Sequence, residues 1–82
     1  MTNRKIHFEK IKHDVNGNPR YKVSMITMLA INEIVSLLPK EADELALSRA
    51  KKIGGRKFKG GIVFVSYNLT DLEKMINNLI KI

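Results

Sequence analysis

A chain of 82 residues has room for one domain, residues 1–82, with a core one layer deep. Hydrophobic residues at 44% and charged ones at 28% fit a folded protein, and the absence of cysteine excludes disulfides and thiolate-held metals. The net charge of +7 is uneven: residues 1–22 carry six basic side chains against two acidic, residues 23–48 one against four, and residues 49–59 six against none. That distribution bears on affinity for polyanions and not on fold.

The chain begins with an alternating pattern. Ile6 and Phe8 alternate with charged residues, Ile11 breaks the parity, and a bulge near Glu9-Lys10 is the expected cause. No apolar leader precedes this segment, so a cytoplasmic protein is expected. Asn16-Gly17 tolerates the positive φ of a tight turn, and Pro19 has no N–H to pair. Tyr21, Val23 and Met25, alternating with Lys22 and Ser24, then form the return strand of a hairpin.

Residues 23–38 are the most apolar stretch, yet they are too short for a bilayer span and are interrupted by Asn32 and Glu33. Within them Ile31, Ile34, Val35 and Leu38 have helical spacing, which predicts a short helix or an ordered loop over residues 30–38. Pro39 opens a better-specified helix, with Glu41, Asp43 and Glu44 early and Arg49, Lys51 and Lys52 late, as the helix dipole favours. Ala42, Leu45, Ala46, Arg49, Ala50 and Ile53 trace one stripe of it, apolar except for Arg49. Gly54-Gly55 supplies a left-handed stop.

Residues 56–61 read as a loop or the start of a strand, and residues 62–67 as a central strand. Thr70 and Glu73 form an expected capping box for a last helix, whose apolar face is Leu69, Leu72, Met75, Ile76, Leu79 and Ile80. The expected fold is α+β, in the order β-β-(α)-α-β-α: a three-stranded antiparallel sheet with two main helices on one face.

No catalytic or metal site emerges, and the chain reads as neither an enzyme nor the carrier of a cofactor. His7 and His13 lie on one strand, but zinc takes three or four ligands and none joins them. None of the four serines sits in a nucleophile turn, and the early carboxylates of the long helix are explained by its dipole. The glycine segment from Gly55 to Gly61 lies between a helix and a strand, the reverse of a phosphate-binding loop. Residues 64–67 match the tail of an RNA-recognition strand, but Gly60, Gly61, Ile62 and Val63 do not match its first half. A double-stranded-RNA domain fails because the last helix starts with Asp71 and Glu73.

What remains is the basic cluster Arg49, Lys51, Lys52, Arg56, Lys57 and Lys59, with Phe58 between its members. One reading makes Arg49, Lys52, Arg56, Lys57 and Lys59, with Arg20 from the hairpin, a nucleic-acid-binding surface. The other makes the cluster a helix terminus and a solvated loop, with Phe58 tucked into the core. Lys5, Lys10, Lys12 and Lys22 could extend the first surface.

Residues 14–21 (Asp-Val-Asn-Gly-Asn-Pro-Arg-Tyr), 52–58 (Lys-Ile-Gly-Gly-Arg-Lys-Phe) and 60–64 (Gly-Gly-Ile-Val-Phe) resemble small uncharacterised proteins of phages and mobile elements. The resemblance implies no established activity or binding residues. It favours an accessory protein acting on nucleic acid, DNA or RNA, or on a host protein that handles it. Two functions therefore stand: binding of nucleic acid through backbone phosphates, or protein interaction, as a phage-type inhibitor of a host protein or as a homo-oligomer, for instance a homodimer.

Overall fold

Val23 and Ile62 face each other at the centre of a four-stranded antiparallel sheet in the computed structural model, which describes residues 5–65 and 68–80. The strands are β1 (Glu9–Ile11), β2 (Arg20–Ser24), β3 (Arg56–Phe58) and β4 (Gly61–Val65), in spatial order β1-β2-β4-β3. Three α-helices complete the fold: α1 (Ile31–Ser36), α2 (Pro39–Lys52) and α3 (Leu69–Ile80), with a 3-10 turn at Met25–Met28.

The α+β class is as expected, but the sheet has four strands and not three. The added strand is β3, and a two-residue turn creates it. Lys59 and Gly60 take φ of 43° and 80°, and Phe58 pairs with Gly61, so residues 56–58 fold back on β4. Two successive positive φ angles match the natural twist of a hairpin. The signal was muted in sequence because lysine, not asparagine, holds the first left-handed position. The end of the expected central strand, Ser66 and Tyr67, and the first four residues lie outside the described residues.

The first hairpin differs in detail from expectation. Glu9, Lys10 and Ile11 pair in simple order with Lys22, Tyr21 and Arg20, so there is no bulge at Glu9-Lys10. The parity break has a plainer cause: Ile6 joins the core, while Ile11, opposite Arg20, faces the other side of the sheet. The connection is also longer than a tight turn. Asp14 Oδ1 accepts the N–H groups of Asn16 and Asn18 at 2.9 and 2.8 Å, and Gly17 takes φ of 81°. These bonds hold the Asp14 carboxyl below its ordinary pKa, with the Asn18 amide the largest cause.

One side of the sheet carries the core. Val23, Ile62 and Phe64 pack against Ala46 and Ala50 of α2, Leu72 and Ile76 of α3, and Met28 and Leu29. Burying each of the large aliphatic side chains contributes about 1.5–3 kcal/mol. Gly55 is required by this packing, since a Cβ there would lie 2.6 Å from Phe64 Cε1 and 2.9 Å from Ala50 Cβ. The cap of α3 is Asn68 rather than Thr70: its Oδ1 accepts the Asp71 N–H at 3.1 Å. Glu73 is thereby free for another task, and it accepts the N–H of Ile6 at 2.8 Å, tying the start of the chain to α3. Among the described residues, no helix is long and apolar enough to cross a membrane.

Candidate functional site

Side chains directly opposite one another in an antiparallel sheet share a face. The pairings Arg20–Val65, Lys22–Val63 and Arg56–Val63 therefore put Arg20, Lys22 and Arg56 on one face, away from Val23, Ile62 and the helices. Glu9, opposite Lys22, and Phe58, opposite Gly61, share it. This open face is cationic, with Val63 and Val65 as its floor.

Phe58 organises one end. It is half-buried on the open face and not in the core, and two cations lie over its ring: Arg20 Cζ at 5.7 Å and Lys59 Nζ at 5.5 Å from the centroid. Arg20 is further held by its Nε, which donates to the Lys12 carbonyl at 2.7 Å. The aromatic ring thus gathers charges from two hairpins that are far apart in sequence. Gly61 has a related part: a Cβ there would lie 2.6 Å from the Val23 carbonyl oxygen and 3.0 Å from Lys22 Cε. Its bare backbone lets the Lys22 stem lie against the sheet.

Two shallow hollows of about 390 Å³ each adjoin on this surface and share Glu9 and Lys22. One reaches past Lys5 and His7 to Gly60; the other is bounded by Ile11, Lys12, Arg20, Phe58 and Lys59. Among the described residues, no group of three or more His, Cys, Asp or Glu is placed to hold a metal.

The six residues singled out in the sequence separate into three places. Arg20 and Lys59 meet on the open face at Phe58, and Arg56 lies on the same face opposite Val63. Lys57, opposite Ile62, leaves the edge strand on the helix side, and Lys52 is exposed at the end of α2. Arg49 is turned inward, where its guanidinium grips both oxygens of Glu33 at 2.6 and 2.7 Å and the Met28 carbonyl at 2.9 Å. Lys22 and Lys12 belong to the face more clearly than Lys52 does. The alternation of Arg20, Lys22 and Ser24 with Tyr21 and Val23 was the signal for Lys22.

A family model for the Staphylococcus phage terminal repeat-encoded protein TreK matches residues 1–82. The chain belongs to that family. The phage-type resemblance seen in the turn and glycine segments therefore extends over the whole sequence. No curated protein and no solved structure matches the chain.

Proposed function

We propose that the chain is a small non-enzymatic accessory protein of the infected cell's cytoplasm. In this reading it holds nucleic acid, DNA or RNA, through backbone phosphates on the open face of its sheet. The observation that carries the reading is the gathering of Arg20, Lys22, Arg56 and Lys59 on the side that the helices leave bare. Only Glu9 opposes them there among the paired strand residues, and it stands across from Lys22. A flat surface of lysine and arginine neutralises successive phosphates and releases their counterions, without reading base edges. Phe58 contributes by holding Arg20 and Lys59 in place, so that less side-chain freedom is lost on binding.

Affinity for a labelled 20-nucleotide strand and for the matching duplex tests the proposal. Four phosphate contacts give a slope of log affinity against log salt of roughly −2.8 to −3.6, a loss of roughly 50- to 150-fold between 50 and 200 mM salt. Absence of binding to either form at 50 mM salt would remove the reading.

A further inference from the structure

Helix α1 turns one polar residue inward, Glu33, while Asn32 and Ser36 stay exposed. Glu33 accepts two hydrogen bonds from Arg49 and one from the Ala30 N–H at 2.8 Å, and this anchors the helix by its charged residue. At 100° per residue, Ile31 and Val35 then fall on the opposite side, with Ile34 at the flank between them and Glu33. They are 74%, 37% and 79% exposed, and Leu38, at the start of α2, is 67% exposed. No residue of α1 is buried. The last helix, by contrast, spends Leu72, Ile76 and Ile80 on the protein's own interior.

We propose that the exposed Ile31, Ile34 and Val35 of α1, with Leu38 of the extended link to α2, are the contact through which two copies of this chain associate as a symmetric dimer. Area is the first argument. The four side chains expose on the order of 500 Å², at the upper end for the largest apolar patch of a monomer. Two such patches face to face bury about 1,000 Å², the lower limit of a specific interface. Charge is the second. Two chains of +7 repel each other over most of their surface. Residues 23–48, with four acids and one base, are the segment where that repulsion is least. Exposed residues of both signs, Lys40, Glu41 and Glu44, follow Leu38 in the chain, and a two-fold axis can pair them across the contact. Nucleic acid is a poor occupant for an apolar stripe beside acids. The association does not depend on what the sheet face binds.

Sedimentation equilibrium of the full chain tests the inference. The mass should rise from 9.4 kDa toward twice that value, with a dissociation constant on the order of 100 µM for so small an interface. Val35→Glu should weaken association at least about tenfold, and Ile31→Asn should do so independently if the first variant folds poorly. Raising salt from about 50 to about 500 mM should tighten the dimer by screening repulsion, the opposite of its effect on polyanion binding. Monomer up to about 2 mM would overturn the proposal. So would a dimer indifferent to both substitutions, or one that salt dissolves. A chain that stays monomeric yet binds a host protein through α1 also counts against it, because the occupant proposed is a second copy.

Discussion

Arg49 and Glu33, sixteen residues apart, form a two-pronged ion pair with side chains only 14% and 15% exposed. The pair does two things at once. It closes the one polar gap in the buried stripe of α2, and it fixes α1 with its aliphatic side toward solvent. Removing one partner strands the other in a poorly hydrated place. Arg49→Leu or Glu33→Leu should each cost about 2–3 kcal/mol, somewhat below the figure for a fully buried pair. That corresponds to a fall in Tm of roughly 10–20 °C for a domain this size, measurable by circular dichroism. A change under about 3 °C would mean that the pair contributes little.

The same pair makes stability depend on pH. The Arg49 guanidinium, ahead of the Ala30 amide, holds the Glu33 carboxyl below its ordinary pKa despite partial burial. A carboxyl depressed in the folded state adds stability that is complete above its unfolded pKa, about 4.3. The contribution is lost as pH falls from there through the folded value. Denaturant midpoints should therefore drop below about pH 4.5, and Glu33→Gln should flatten part of that drop while lowering stability at pH 7. Equal slopes in the two proteins would contradict this role. Asp14 shifts in the same direction through its turn hydrogen bonds and without an ion pair as the main cause, and Asp14→Asn serves as a comparison.

Neighbouring glycines should respond differently to alanine. Gly54 takes φ of 85° with open space around it, so Gly54→Ala costs only the left-handed backbone penalty of about 1–2 kcal/mol. A Cβ at Gly55 would meet Phe64, Ala50 and Ile62 in the core, all at 3.0 Å or less. Phe64 is fully enclosed and cannot retreat, so Gly55→Ala should cost about 3 kcal/mol, the larger of the two losses. Thermal melts of the two variants settle the order. The reverse order would place the packing of α2 on β4 in error.

Lys59 joins stability to charge. It holds φ of 43° at the first position of the β3–β4 turn, where asparagine is better tolerated. Lys59→Asn should raise stability by about 0.5–1 kcal/mol and yet weaken polyanion binding. A variant that gains stability and keeps full affinity would show that Lys59 takes no part in binding.

The parts of this architecture governed by short-range chemistry were legible in the sequence. Pro39 and Gly54 bracket α2, and the alternation around Val23 marks β2. The strand β3 was hidden because Arg56 and Lys57 look like loop residues and Lys59 is an unusual turn former; their pairing depends on β4, not on local preference. Arg49 was visible as the odd member of an apolar stripe. Its partner was not, because Glu33 lies on another helix and the contact is tertiary. The cationic cluster was read as one run, whereas alternation along β3 sends Arg56 and Lys57 to opposite faces. Arg20 and Lys22 join Arg56 only through the order of the strands, which no single segment encodes.

The most direct test of the binding face is a comparison of two charge reversals equal in number. Arg56→Glu with Lys59→Glu alters the open face, and Lys52→Glu with Lys57→Glu alters the helix side and the edge. Affinity for a 20-nucleotide strand at 50 mM salt should fall at least about thirtyfold in the first pair, with its salt slope reduced by roughly 2. The second pair should lose no more than about fivefold, through long-range charge alone. Equal losses in both variants, or a larger loss in the second, would contradict the assignment of the open face as the site.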